Sequence, residues 1–365
     1  MKKITKVALS ISLLSGILMS TLEQQSNANG ENILTDITQH WAESTIKAAI
    51  QKGYVDGYED SSFKPDANIT RAEFVKMLSV ATDKVADITG GVWYGKYVDG
   101  LTKLNIVRDK EFDSYTKPIT RLEMAKVSLR AIRPDLQDVS YNDYSDKEYI
   151  FDAVSRGLIQ GLDKGDLNLE GVTTRAQAVT IIERVLTAAK NGKLEVDYRA
   201  MQTAEVSLRN TNAFTMFGYK TIGFPFTLPL TDMLKATVNS VIIIDGDDVN
   251  SPYYDVLDGL VYGPTEIKTA KGQYAFVYNM DLEISPNLVN SIVLGDHFDM
   301  LKGFQAHTKN SLYGMTKNMA GTTINTNLTF MLEKERIDVM VKEDNLIAML
   351  IVNGKSLDYF VKKTR

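Results

Sequence analysis

The chain has 365 residues, 44% of them hydrophobic, which is long for one domain and enough for two or three with ordinary buried cores. Its net charge of −5 and pI near 5.4 argue against a nucleic-acid partner, which needs a concentrated basic face. The absence of cysteine removes disulfides, thiolate zinc sites and thiol nucleophiles together. In chain order, residues 1–28 read as a secretory signal: Lys2, Lys3 and Lys6 form the basic start, residues 7–19 the apolar stretch, and Ser26-Asn27-Ala28 a small-x-small cleavage site. The apolar stretch is broken by Ser10, Ser12, Ser15 and Gly16 and falls short of the ~20 residues needed to span a bilayer. An exported protein with no membrane attachment after cleavage is expected.

From residue 29 the chain writes one unit of about fifty residues three times, a period that signals a repeat architecture. Each copy carries a capping box: Thr70-Arg71-Ala72-Glu73, Thr120-Arg121-Leu122-Glu123 and Thr174-Arg175-Ala176-Gln177. In such a box the threonine hydroxyl accepts from the N3 amide while the N3 side chain reaches back to the N-cap amide, so three helix starts are predicted. The arginine at N1 is the anomaly, because a cation sits poorly at the positive end of a helix dipole. A surface salt bridge to a nearby Asp or Glu would answer it. So would an external carboxylate or phosphate at an exposed helix N-terminus.

Behind the boxes run apolar stripes: Phe74, Val75, Met77, Leu78 and Ala81; then Met124, Ala125, Val127, Ala131 and Ile132; then Ala178, Val179, Ile181, Ile182, Val185 and Leu186. Each unit therefore reads as helix, glycine-punctuated loop and capped helix, with Gly53, Asn105 and Gly157 as left-handed C-caps of the first helices. No unit can bury its stripe alone, so a pseudo-threefold all-α bundle is expected, with copies at 29–86, 87–136 and 137–190. Residues 157–162 align without a gap to 53–58. The second copy is the degenerate one, with a loop two residues shorter.

The string Asp36, His40-Trp41-Ala42, Gly53-Tyr54-Val55-Asp56-Gly57-Tyr58, Phe63, Pro65 and Ile69 through Glu73 resembles the S-layer homology (SLH) domain, and the three copies resemble its usual triplet. The resemblance implies non-covalent docking on the secondary polysaccharide of a Gram-positive wall, often one bearing pyruvate ketals. It assigns the acidic sugar to Arg71, Arg121 and Arg175, and the groove to Asp36, Trp41 and Gly57, with Trp93 and Gly161 as counterparts in the other copies. Ser145 replaces the third tryptophan. Arg121, lying in the copy with the altered loop, is expected to matter least.

A polar segment at 191–199 reads as a linker, and 200–365 as a β-rich domain of α+β or sandwich-like type. Strand-like runs fall at 213–217, 240–244, 274–280, 327–332, 337–341 and 346–352, the last three as an antiparallel meander. His297 and His307 lack a zincin motif. Asp245, Asp247 and Asp248 form a weak calcium candidate without the EF-hand spacing. No catalytic constellation and no cofactor is indicated. The expected function is a non-enzymatic surface protein displaying a structural or binding domain; the alternative is a wall-anchored cell-wall or polysaccharide hydrolase with its active site in 200–365.

Overall fold

A computed structural model describes residues 34–138, 144–262, 270–290 and 317–344, with shorter stretches between and after these. The signal segment and both downstream histidines lie outside the described residues. Helices fill the first half of the chain, and an antiparallel sheet dominates the second.

Six helices build the first core: α1 (Glu43–Gln51), α2 (Arg71–Ala81), α3 (Gly95–Thr102), α4 (Arg121–Ile132), α5 (Asp146–Ser155) and α6 (Arg175–Ala189). The three predicted capping boxes are formed, with Thr70 accepting from the Glu73 amide, Thr120 from Glu123 and Thr174 from Gln177. A fourth, not anticipated, starts α5, where Ser145 and Glu148 make the same reciprocal bonds. Gly53 and Gly157 sit at φ 75° and 73° after α1 and α5, and Asn105 at φ 52° after α3, so the left-handed C-caps fall where expected.

The residues before the capped helices tie the three starts into a closed ring. Ile69 N donates to Thr173 O (2.9 Å), Thr173 N to Ile119 O (3.1 Å), and Ile119 N to Ile69 O (3.0 Å). The shorter helices pack across the ring: α3 on α2, α5 on α4 and α1 on α6. Each capped helix thus receives the first helix of the next segment in cyclic order, and the stripes close over one continuous core.

Helix α7 (Tyr198–Arg209) departs from the β-type reading of the chain after 200. It packs on α5 and buries Ala200, Met201 and Ala204 in the helical core. Its other side faces the second half. Arg199 grips Asp248 with Nε (3.1 Å) and Nη2 (2.7 Å), and buried Glu205 accepts the Phe214 and Thr215 amides at 2.9 and 2.7 Å. Those bonds start α8 (Ala213–Phe217), which the sequence reading took for a strand; the cap comes from a residue on another helix, invisible to local pattern.

The main sheet runs in the order Phe226–Thr231, Leu234–Asp245, Gln273–Ile284, Thr323–Glu333, Phe304–Ala306, antiparallel throughout. A bulge at Asn239 shifts the register, so Val238 and Val241, of opposite parity, face the same core. That core holds Ile243, Phe276 and Phe330 side by side, while Ile244, Ala275 and Met331 line the opposite face. The expected meander is corrected at its centre: residues 337–341 lie in helix α9 (Lys334–Lys342). Ile337, Met340 and Val341 are spaced for one helical face against the sheet, and in so short an apolar run that spacing prevails over alternation.

Candidate binding groove

The loop after α1, the start of α2, Trp93 and Arg175 enclose a groove of about 460 Å³. Its walls come from three segments. Tyr54, Gly57 and Tyr58 belong to the first loop, Glu73 and Lys76 to α2, Trp93 to the approach to α3, and Arg175 to the start of α6. A Cβ on Gly57 would come 2.5 Å from Leu34 Cδ2 and 3.2 Å from Ser62 O, so a larger residue here would have to push the Leu34 side chain aside.

Arg175 crosses from α6 to the first loop. Its Nε donates to Phe63 O (3.0 Å), Nη2 to Asp56 O (3.3 Å), and Nη1 reaches Glu73 Oε1 at 3.5 Å, while its plane lies over the Tyr58 and Phe63 rings. Burial pushes the Tyr58 phenol pKa up, and its hydroxyl donates to Glu73. Trp93 stands 57% exposed at the rim. Asp36 does not open into the groove; its carboxylate accepts the Phe63 and Lys64 amides and pins the end of the loop.

The other two arginines use the same crossing with different ends. Arg71 goes to Glu123, with Asp113 and Ser114 O as further partners, and the Glu123 bond holds its pKa above the ordinary value. Arg121 goes to Leu167 O (2.8 Å) and Gln160 O (2.7 Å), with no ion pair among the described residues, and burial lowers its pKa. Two expectations change. The arginines are not exposed at N1, since Arg121 and Arg175 keep only 6% and 5% exposure beneath the neighbouring loop. Each also serves the loop of the following segment, so the altered second loop concerns Arg71 and not Arg121.

Trp41 is 62% exposed beside His40, just before α1, which packs on α6, and it does not line the first groove. Gly161 lies in the third loop, where its amide donates to Asp197 Oδ2 (3.0 Å). The calcium candidates do not converge: Asp245 and Asp247 pair with Lys334, and Asp248 with Arg199. Among the described residues no group of three or more acidic or histidine side chains is placed to hold a metal ion. Sequence reasoning passed over Tyr58 and Lys76 as groove residues. The signal for Tyr58 was an aromatic directly after the second loop glycine.

Residues 34–75 match the S-layer homology domain. The chain is 28% identical over 177 residues to an exoglucanase, XynX, of Acetivibrio thermocellus, covering 43% of this chain and 16% of that protein. It is 25% identical over 182 residues to an amylopullulanase of Thermoanaerobacterium thermosulfurigenes, covering 44% and 10%. It is 41% identical over 51 residues to a cellulosome-anchoring protein of Acetivibrio thermocellus, covering 14% and 11%. The chain therefore spans a small part of each relative's length, and the enzyme matches fall on the SLH region. The domain, the cellulosome-anchoring protein, and two further relatives, a cell surface glycoprotein of Acetivibrio thermocellus and a middle cell wall protein of Brevibacillus brevis, support a secreted, cell-wall or cell-surface location. No helix among the described residues is long and apolar enough to cross a membrane.

Proposed function

We propose that this chain docks non-covalently on an acidic secondary cell-wall polysaccharide through a triplet of SLH repeats, and displays its β-rich half outward. The observation that carries the reading is the first groove, where a guanidinium, an ammonium, an exposed indole and a loop glycine converge. A pyruvate ketal offers a carboxylate for Arg175 and Lys76, and its sugar offers an apolar face for Trp93. Glycine brings backbone amides close to ring hydroxyls. The cyclic hydrogen-bonded ring supports reading the three segments as one triplet.

Retention of the full chain on purified wall polysaccharide tests this, with the same polymer stripped of its ketals as comparison. Equal retention on both polymers, or none on either, would overturn it. The glycoside hydrolases among the relatives support a second reading, a wall-anchored hydrolase with its active site in 200–365. A zymogram of the mature chain on cell-wall substrate tests that reading: a cleared band supports it, and none opposes it.

A further inference from the structure

The third loop repeats the first in detail. Arg121 donates to Gln160 O and Leu167 O as Arg175 does to Asp56 O and Phe63 O, and Leu162 N donates to Asp166 O as Tyr58 N does to Ser62 O, both at 2.7 Å. Three differences change the charge of the third groove: Thr180 stands where the first groove has Lys76 and removes an ammonium, while two others add positive charge. Gln177 stands where the first groove has Glu73. Arg184 stands where α2 has Val80, and it donates to Gln160 Oε1 (2.7 Å) and Leu158 O (3.4 Å). Neither Arg121 nor Arg184 forms an ion pair among the described residues. Burial lowers both pKa values, and Arg121 lowers that of Arg184 further; Asp166 acts in the opposite direction on Arg121, and Asp197 and Glu195 do so on Arg184.

The segment that brings those two carboxylates is the connection from α6 to α7. Asp197 uses Oδ1 to cap α7, accepting the Arg199 and Ala200 amides at 3.0 and 3.1 Å, and Oδ2 to accept the Gly161 amide. The backbone closes down with it. A Cβ on Gly157 would lie 2.5 Å from Glu195 O, and one on Gly165 2.5 Å from Arg199 C. Both glycines, in the left-handed region at φ 73° and 76°, are used to seat residues 194–199 against the third loop.

We propose that the Asp197 carboxylate is the resident anion of the third groove, so that residues 194–199 close it and an acidic ligand enters only by displacing them. Binding at the third groove then waits until that segment lifts. A ligand that captures the third groove must also uncap α7, which joins the helical core to the sheet domain.

The experiment follows the Gly57 and Gly161 backbone amides of the full chain by nitrogen-15 NMR, in wild type, Asp197→Asn and Asp197→Ala. The asparagine variant keeps an N-cap acceptor for α7 and so controls for loss of fold. Removing a charged acceptor should speed Gly161 amide exchange about tenfold or more in the alanine variant, and added acetate should slow it again. Unchanged Gly161 exchange would overturn the proposal.

A second arm rests on the glycan reading. A pyruvate-ketal monosaccharide should shift Gly57 alone in wild type, and both amides in Asp197→Asn. Gly161 shifting in wild type, or Gly57 alone shifting in the variant, would also overturn the proposal. If neither amide responds in any protein, the glycan reading fails, while the exchange and acetate measurements still decide whether Asp197 is the resident anion.

Discussion

Arg71 holds Glu123 with both prongs of its fork, Nε to Oε2 at 3.0 Å and Nη2 to Oε1 at 2.6 Å. The same carboxylate accepts the Thr120 amide and completes the capping box of α4, so one side chain fastens the start of α2 to the start of α4. Arg71→Ala leaves Glu123 half-buried with its strongest partner removed. A stability loss of about 1.5–3 kcal/mol is expected, with Arg71→Lys recovering only part of it because a point charge cannot match the fork. Urea unfolding measures it. A variant as stable as wild type would mean the pair is a weak surface bridge.

The cyclic order makes Gln177 the counterpart of Glu73 and Glu123, facing the Arg121 crossing. Gln177→Glu should supply the carboxylate that Arg121 lacks while leaving the capping box intact, since Glu serves at N3 as well as Gln. The expected outcome is a gain of about 1–2 kcal/mol, within the range of a charge-assisted bond at a partly buried site. A loss of stability in thermal melts would place position 177 away from the Arg121 guanidinium.

The three helix starts, their stripes and their C-caps were legible because each rests on contacts within a few residues. The crossings were not. Nothing local to Thr70-Arg71 says that the guanidinium ends on Glu123, 52 positions later. In the second half, α8 depends on Glu205 and α9 on the sheet beneath it, so propensity alone read both as strands. For the groove, sequence resemblance pointed to Arg175, Gly57 and Trp93 in three separate copies, but not to the fact that these three share one groove.

Trp93 separates binding from folding better than any arginine. Its ring is mostly exposed and lines the groove, whereas Arg175 is buried against the Tyr58 and Phe63 rings and its removal disturbs packing as well. Trp93→Ala should therefore weaken retention on ketal-bearing wall polysaccharide while moving stability by no more than about 0.5 kcal/mol. Full retention by the folded variant would remove the indole from the site.

Glu205 gives the junction a pH signature. Burial is the largest influence and raises its pKa above the ordinary glutamate value, despite its bonds to Thr215 and Phe214. A carboxyl with a raised folded pKa contributes stability that is full below the unfolded pKa and lost as pH rises through the folded one. Glu205→Gln does not titrate, so the advantage of wild type over this variant should shrink between pH 4 and pH 7. Urea unfolding at the two pH values tests the sign; an advantage that widens with pH would show that the hydrogen bonds outweigh burial.

The edge of the helical module follows from α7. A fragment ending at residue 195, where the composition turns polar, omits Ala200, Met201 and Ala204 from the core and removes Asp197 from the Gly161 amide. A fragment running from 29 to 209 retains all four, and keeps Arg209 over the Phe151 ring. Burying one methionine and two alanines contributes about 2–4 kcal/mol before the cost of ordering the helix. The longer fragment should therefore melt higher, by roughly 2–4 °C for each kcal/mol of burial left after that cost at this size. Equal melting temperatures would assign α7 to the sheet domain and return the module boundary to the polar segment after α6.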